Sequence, residues 1–175
     1  LIDETGHIDV LIANLAAKQN RASVENTTDE SWNHMFDMMV HPLHRLVKAC
    51  VPQMKERKSG KIIVVGSATG LKGQPHVSQY SAARGAQLAY VKSAGVEVAG
   101  DNVQINAIAQ IFVENETYYS QEFQETDLFK EKFKQVPLNR LSTAREDAML
   151  AVFLASEESN SFVGQTFPFA AGWVV

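Results

Sequence analysis

The chain has 175 residues, of which 45% are apolar and 21% are charged, and its formal net charge is −4. These values are ordinary for one globular domain with a sizeable core. The negative charge argues against nucleic-acid binding by charge alone. The sequence contains no run of about 18 apolar residues, so it predicts no membrane span. We therefore predict a single domain over residues 1–175 whose partner is a small molecule or another subunit.

The single cysteine, Cys50, excludes a disulfide within the chain and a cysteine metal cluster. It falls on the apolar face of a predicted helix, which indicates a small buried hydrophobe. The histidines lack metal-ligand spacing backed by carboxylates, so we predict no metal site. We expect a reducing, cytoplasmic location, since the chain has no secretory leader and uses almost no cysteine.

The chain opens on LIDETGHID, which indicates the end of a helix that runs into a strand. A beginning of this kind, without methionine, favours the C-terminal part of a larger domain. The next residues, IDVLIAN over 8–14, form a short apolar run after Gly6 and predict a buried strand.

A long amphipathic helix is predicted next. Thr27, Thr28 and Asp29 offer N-caps for it. Apolar residues then recur at spacings of three and four, which places them on one face: Trp32, Met35, Phe36, Met39, Leu43, Leu46 and Val47. Pro42 predicts a kink or a local break in this helix, and Gly60 predicts its end.

The middle of the chain predicts two further strands with a helix between them. Residues 61–67, KIIVVGS, form a continuous apolar run typical of a strand covered on both faces. A glycine-containing loop leads to a helix over residues 78–99, and residues 103–109, VQINAIA, predict the third strand. The polar and aromatic stretch over residues 110–126, here called the lid segment, is long enough to be functional. Its aromatic residues either pack or contact substrate: Tyr118, Tyr119 and Phe123.

The C-terminal part predicts helices over residues 127–135 and 143–155, and Thr143 and Glu146 have capping-box spacing. Residues 164–172, GQTFPFAAG, predict the last strand. Strands that alternate with helices indicate an α/β fold with a doubly wound parallel sheet and helices on both faces. In such sheets ligands bind beyond the carboxyl ends of the strands.

Three polar side chains fall near that edge of the predicted sheet. Ser67 ends the second strand, and Tyr80 and Arg84 are four residues apart on the helix after it, so they share a helix face. A neighbouring cation favours the phenolate form of a tyrosine. We therefore expect Arg84 to let Tyr80 act as the general base for a substrate hydroxyl that Ser67 also hydrogen-bonds. The alternative interpretation is an ordinary surface pair.

Nearly the whole chain resembles the C-terminal two-thirds of a short-chain dehydrogenase/reductase. The matching segments occur in the order and spacing of that superfamily: GHIDVLIAN, SGKIIVVGSA, SQYSAARGAQ, VQINAIA, PLNRL and FVGQTFPFAAG. The resemblance implies a Rossmann-like fold without its N-terminal βαβ part. It also implies that Ser67, Tyr80 and Arg84 carry catalysis, although the reductases have a lysine at the third position.

Departures from the reductase pattern resemble the halohydrin dehalogenases, a branch of the same superfamily that binds no dinucleotide. The reductase lysine also holds the nicotinamide ribose and relays protons, whereas Arg84 stays charged and relays them poorly. Met39 falls at the position of the asparagine in that relay. Gln110 and Ile111 replace the Pro-Gly pair that lies against the nicotinamide.

The resemblance therefore implies a lyase that converts vicinal haloalcohols into epoxides and halide without a cofactor. The halide would lie in the nicotinamide position, against backbone N–H groups near Phe112 and Val113, with Gln110 and Ile111 at the same site. By reversibility, the site would open epoxides with small anions.

Two other functions are compatible with the same residues. The first is an NAD(P)-dependent short-chain dehydrogenase/reductase that acts on a carbonyl or alcohol substrate, with Asn14 contacting the dinucleotide. The second is a non-catalytic member of the superfamily. A homo-oligomer, either a dimer or a tetramer, is implied by resemblance only, and Trp173 is a candidate contact in it.

Overall fold

The computed structural model describes residues 2–175, with side chains from residue 4 onward. Ten helices and strands follow one another along these residues: α1 (Ile2–Thr5), β1 (Val10–Ala13), α2 (Asp29–Arg57), β2 (Gly60–Ser67), α3 (Ser78–Val98), β3 (Val103–Gln110), α4 (Gln121–Gln124), α5 (Asp127–Phe133), α6 (Ala144–Ala155) and β4 (Thr166–Phe169). A helix therefore does precede the first strand, as expected, although Leu1 lies outside the described residues.

The strands form one parallel sheet in the order β1-β2-β3-β4. The two central strands pair along their whole length, from Gly60 opposite Val103 to Ser67 opposite Gln110. Every residue of β2 is buried, because its continuous apolar run is covered on both faces. The predicted α/β fold with a parallel sheet is confirmed.

Helices cover both faces of the sheet. On one face, Val47 of α2 and Val91 of α3 share a core cluster with Ile62 of β2. On the other face, Ile63 packs with Leu154 of α6. Since α3 follows β2 directly, the start of α3 is held near the carboxyl end of β2.

The apolar face predicted for α2 is confirmed in its main part. Thr28 is the N-cap, and its side chain accepts a hydrogen bond from the Ser31 N–H. The buried residues of the helix are Met35, Met39, Leu43, Val47, Cys50 and Met54. Trp32 and Leu46, which were expected on the same face, are exposed to 41% and 37%, because they lie at the margins of the buried stripe.

Two predictions about α2 need correction. The helix has no break at Pro42, because a proline removes only one backbone hydrogen bond and packing against the sheet holds both halves; a kink at Pro42 stays a prediction. The helix also does not end at Gly60. It ends at Arg57, its C-cap Lys58 takes the left-handed conformation with φ of 53°, and Gly60 begins β2. A Cβ atom on Gly60 would come within 2.5 Å of the Met54 side chain, which explains the glycine.

The C-terminal elements agree with their predictions except at their ends. Thr143 and Glu146 form both hydrogen bonds of a capping box. The last strand is limited to Thr166–Phe169, since the residues around it form turns. The lid segment contains only the short helix α4.

Neither a membrane span nor a metal cluster is found in residues 2–175. No helix there is long and apolar enough to cross a membrane. No three His, Cys, Asp or Glu side chains in the described part of the chain converge as metal ligands.

Candidate active site

Tyr80 and Arg84 lie together on the first turns of α3. Their exposed fractions are 7% and 5%, so they are not the ordinary surface pair of the alternative interpretation. The Arg84 Cζ atom lies 5.0 Å from the centroid of the Tyr80 ring, which is within cation–π distance. The geometry therefore places a permanent positive charge against the aromatic ring of the predicted base.

The Arg84 guanidinium is fixed by acceptors from separate parts of the chain. Its Nη1 donates to the Leu15 carbonyl at 2.9 Å, to the Val65 carbonyl at 3.2 Å and to Gln87 Oε1 at 2.9 Å. The Gln87 amide nitrogen in turn donates to the Met39 carbonyl at 2.9 Å. These bonds hold the cation between the loop after β1, the strand β2 and the helices α2 and α3.

Gln87 is a site residue that the sequence analysis did not identify. It is fully buried, and it lies three residues after Arg84 on the same helix. This i, i+3 spacing of a polar residue from Arg84 is the sequence feature that could have identified it. Met39 is also fully buried. Met39 falls at the position where the reductases have asparagine. Here the backbone carbonyl of Met39, rather than a polar side chain, accepts the hydrogen bond from Gln87.

Ser67 ends β2, and its hydroxyl is positioned by Thr69. The two side-chain oxygens are 2.9 Å apart, and Ser67 Oγ also accepts a hydrogen bond from the Thr69 N–H at 3.3 Å. When the Thr69 hydroxyl donates to Ser67 as well, the Ser67 proton is directed to another acceptor. Thr69 is buried, with an exposed fraction of 3%, and sequence reasoning missed it.

The loop after Ser67 packs on α3 beside the cation. A Cβ atom on Gly70 would come within 2.9 Å of the Arg84 carbonyl carbon. This close approach brings the carboxyl end of β2 to the first turns of α3. Ser67 and Tyr80 nevertheless share no direct hydrogen bond in the described chain.

The wall beside Tyr80 is apolar. Tyr80 belongs to a buried cluster that contains Ala17, Met35 and Met39. Apolar surroundings reduce the screening of the Arg84 charge by water, so its electrostatic effect on the Tyr80 ring is larger than on a surface tyrosine.

The segment after β3 is held in a strained backbone conformation. Phe112 has φ of 59° and an exposed fraction of 1%, an uncommon combination for a bulky residue. Its carbonyl accepts from the Ser142 N–H at 2.8 Å, and Val113 forms a parallel bridge with Ser142. Phe112 and Val113, the residues predicted to bind halide, are therefore fixed by Ser142, which lies two residues before α6.

Trp173 packs on Phe112 inside the chain. Their ring centroids are 6.0 Å apart, and Trp173 has an exposed fraction of 5%. The suggestion that Trp173 makes a subunit contact is therefore wrong for its side chain, because the aromatic cluster around Phe112 covers it. The expected dimer or tetramer stays a prediction.

Gln110 and Ile111 have different surroundings. The Gln110 side-chain amide, with its nitrogen towards α6, donates to the Asp147 carboxylate at 2.6 and 3.2 Å. Burial raises the pKa of Asp147. The Ile111 N–H donates to the Phe169 carbonyl at 3.0 Å. The Gln110 side chain is thus bound to α6, and a contribution of Gln110 or Ile111 to a halide site stays a prediction.

Tyr119 brings the lid segment to the site. Its ring centroid is 6.3 Å from that of Phe112. Burial raises the pKa of Tyr119 to about 12, the Phe112 backbone N–H opposes this rise, and the charge of Tyr80 adds to it. The Tyr119 hydroxyl therefore stays protonated near neutral pH.

A cleft of about 650 Å³ lies beside the lid segment. Tyr119, Phe129 and Phe133 contribute aromatic walls, and Asn115 and Arg140 are among the polar residues that line it. Ser67, Tyr80 and Arg84 do not line this cleft. Tyr119 and Phe133 line the cleft and also pack on Phe112.

A dinucleotide fits this site only in part. Asn14 follows β1 directly, and its side chain is exposed and free of hydrogen bonds to described residues, so it is available to a nucleotide. Arg84 does not match the reductase lysine, because its Nη1 is bound to protein acceptors. We therefore derive no catalytic step through a dinucleotide from Arg84.

Sequence comparisons relate the chain to reductases. Residues 1–174 match the family model described as enoyl-(acyl carrier protein) reductase. The chain is 32% identical, over 94% of its length, to the 3-oxoacyl-[acyl-carrier-protein] reductase FabG of Vibrio harveyi and covers 66% of that protein. The chain is 28% identical, over 100% of its length, to the Thermotoga maritima protein of the same name and covers 70% of that protein. The chain thus spans about two thirds of the length of these curated relatives.

Structural comparisons relate the chain to both branches of the superfamily. A "dehalogenation enzyme" superposes with a TM-score of 0.93 at 30% identity, over 99% of this chain and 71% of the other. Halohydrin dehalogenase (HheC), bound to ethyl (2S)-oxiran-2-ylacetate, superposes with a TM-score of 0.92 at 28% identity. The match covers 99% of this chain and 72% of that protein. ElxO with NADP bound superposes with a TM-score of 0.89 at 26% identity, and the match covers 98% of this chain and 69% of that protein.

Proposed function

Because this chain belongs to the enoyl-(acyl carrier protein) reductase family of the short-chain dehydrogenase/reductase superfamily, we propose that it is an enzyme whose site closes vicinal haloalcohols to epoxides. One observation carries the choice of a lyase over an oxidoreductase. The cation beside Tyr80 is Arg84, and its Nη1 is bound to protein carbonyl and amide oxygens. An arginine held in this way maintains a charge at the base but serves poorly as a proton relay.

Tyr80 is the general base in this proposal. It takes the proton of the substrate hydroxyl, and the Arg84 guanidinium lies 5.0 Å from the centroid of its ring during this step. The resulting alkoxide oxygen forms a bond to the adjacent carbon, and the carbon–halogen bond breaks, so that halide leaves with the bonding electron pair. The tyrosine proton then passes to water.

Ser67 holds the substrate oxygen during this step. Its oxygen accepts from the Thr69 N–H, and when the Thr69 hydroxyl also donates to it, the Ser67 proton is left to donate to the substrate oxygen. Nucleophile and leaving group belong to one molecule, so the site mainly selects the rotamer in which they are anti to each other. The halide departs towards the backbone at Phe112 and Val113.

The direct test is halide release without nicotinamide. Ethyl 4-chloro-3-hydroxybutanoate closes to ethyl oxiran-2-ylacetate, the epoxide type that HheC holds in its structure. We expect the wild-type protein to release chloride, and Tyr80→Phe to reduce the rate by a factor of about 10² to 10⁴. Tyr90→Phe is the matched control, because Tyr90 lies on the same helix and its ring packs edge-on against His44. Absence of chloride release from the folded wild-type protein would contradict the proposal.

The second candidate is an NAD(P)-dependent reductase. The names of the sequence relatives and the NADP bound to ElxO favour it. Asn14 would contact the dinucleotide, which supplies a hydride when bound, and Tyr80 would donate a proton to the carbonyl oxygen of the substrate. Oxidation of NADPH by a 3-oxoacyl thioester, lost in Tyr80→Phe and unaccompanied by halide release from haloalcohols, would favour this function over the lyase.

A further inference from the structure

Residues 15–22, here called the strap, lie against the start of α3. The strap follows β1 and contains neither helix nor strand, and Ala17 is its only buried residue. Four hydrogen bonds join the strap to the residues around Tyr80. The Arg84 Nη1 donates to the Leu15 carbonyl at 2.9 Å, the Gln79 amide to the Asn20 carbonyl, the Arg21 Nη2 to the Pro75 carbonyl at 3.2 Å, and the Ala22 N–H to the His76 carbonyl at 3.0 Å.

These contacts bracket Tyr80. Gln79 and Arg84, which bind the strap, precede and follow Tyr80 on α3, and Ala17 of the strap belongs to the same buried cluster as Tyr80. Tyr80 is buried, although it lies at the edge of the sheet where ligands bind. Together with Ser67 and Arg84, it lines neither of the clefts of about 680 and 650 Å³. The structure therefore shows the predicted base in a covered state.

The strap is attached less firmly than the core beneath it. One buried methyl group and four hydrogen bonds hold it, whereas every residue of β2 is buried. Asn20 and Arg21 are exposed already, so their polar groups exchange protein partners for water when the strap lifts. Segments with few buried apolar contacts open locally, at a smaller cost in free energy than global unfolding.

We propose that the strap is a gate over Tyr80, which lifts to admit the substrate and closes again before the reaction. Closure returns the Leu15 carbonyl to the Arg84 Nη1 and so fixes the cation beside the Tyr80 ring. Any substrate that reaches Tyr80 has to pass this gate. The inference therefore goes beyond the proposed function and applies to the lyase and to the reductase alike.

Gln79→Leu tests whether the strap opens by itself. The substitution removes the donor to the Asn20 carbonyl and keeps most of the volume of this buried side chain. We expect hydrogen exchange of the Ala22 amide, which is bonded to the His76 carbonyl, to become about fivefold faster, as for the loss of one hydrogen bond from the closed state. Exchange of the β2 amides should not change.

Gln19→Leu is the matched control for the exchange measurement. It makes the same change on the strap itself, where Gln19 forms no hydrogen bond with a residue of the described chain, and exchange of Ala22 should equal that of the wild type. An unchanged Ala22 amide in Gln79→Leu would overturn the inference. Equal acceleration of Ala22 and of the β2 amides would also overturn it, because the strap would then open only with the whole domain.

Nitration by tetranitromethane, followed by peptide mapping, measures how far the strap covers Tyr80. We expect Tyr80 to react much more slowly than Tyr118, which is 48% exposed, and about fivefold faster in Gln79→Leu than in the wild type. Nitration of Tyr80 at the rate of Tyr118 would overturn the inference, as would an unchanged rate in a Gln79→Leu protein whose Ala22 amide exchanges faster. Both measurements omit substrate, so they decide on the gate independently of halide release.

Discussion

Gly70 and Arg84 touch through their backbones. A Cβ atom on Gly70 would lie 2.9 Å from the Arg84 carbonyl carbon and 2.9 Å from the Gly85 nitrogen. Real Cβ atoms do not approach backbone atoms this closely, and neither backbone can rotate away as a side chain can. The contact therefore sets the distance between the loop that follows Ser67 and the helix that carries Tyr80.

Gly70→Ala should separate this loop from α3. We expect a loss of about 1–3 kcal/mol in the free energy of unfolding, typical of overpacking, together with lower halide release. Urea denaturation and a chloride assay would measure both quantities. Gly73→Ala is the control, because no atom lies within 4 Å of the position of its added Cβ. Equal stability of the two variants would show that the loop moves freely against α3.

Arg84→Lys should weaken the site although it keeps the charge. A lysine amine cannot lie flat beside the Tyr80 ring while it also reaches the acceptors of the planar guanidinium. We expect halide release to fall about tenfold, as for the loss of one charged hydrogen bond. Arg45→Lys, on the exposed side of α2, should leave the rate unchanged. An undiminished rate in Arg84→Lys would mean that charge alone suffices.

Thr69→Val should lower kcat with little change in KM. The substitution removes the hydroxyl that lies 2.9 Å from Ser67 Oγ and leaves the Ser67 proton without a fixed direction. We expect kcat to fall about tenfold, and Thr69→Ser to restore most of the rate because it returns the hydroxyl. A rise in KM alone, or no rescue by serine, would instead indicate that Thr69 contacts the substrate.

The ion pair between Arg140 and Glu146, in the first turn of α6, should make stability depend on pH. Arg140 donates to both carboxylate oxygens of Glu146 at 2.9 and 2.6 Å and, with the Thr143 backbone, lowers the pKa of Glu146 from 4.5 to about 2. Because the folded pKa is below the unfolded one, this stabilisation is fully present above about pH 4.5 and is lost as the pH falls through 2.

Glu146→Gln should therefore lower the melting temperature near neutral pH, with the difference from wild type shrinking under acid conditions. Calorimetry across this pH range is the measurement. Glu122→Gln, on the exposed part of α4, should show no such difference. A constant difference at all pH values would assign the effect to the capping box rather than to charge.

Local patterns predicted the fold well because they depend on residues close in sequence. The apolar run of β2 and the capping box at Thr143 are of this kind. The end of α2 was predicted less well, because the left-handed residue is Lys58 while Gly60 meets a packing requirement against Met54. Sequence alone does not separate a glycine chosen for conformation from one chosen for space.

The candidate site was predictable only where its partners are neighbours along the chain. Tyr80 and Arg84 are four residues apart, and helical periodicity was sufficient to pair them. Thr69 and Gln87 were missed, since their roles arise from contacts that only tertiary structure defines.

The acceptors of Arg84 join distant parts of the chain. The Leu15 carbonyl is 69 residues away from Arg84 and the Val65 carbonyl is 19 residues away. Helical turns of α3 can form early from local interactions, but this cation is oriented only after the sheet has assembled around it. Recovery of enzymatic turnover during refolding should consequently lag behind recovery of helical content. Turnover therefore measures when the sheet around Arg84 has assembled.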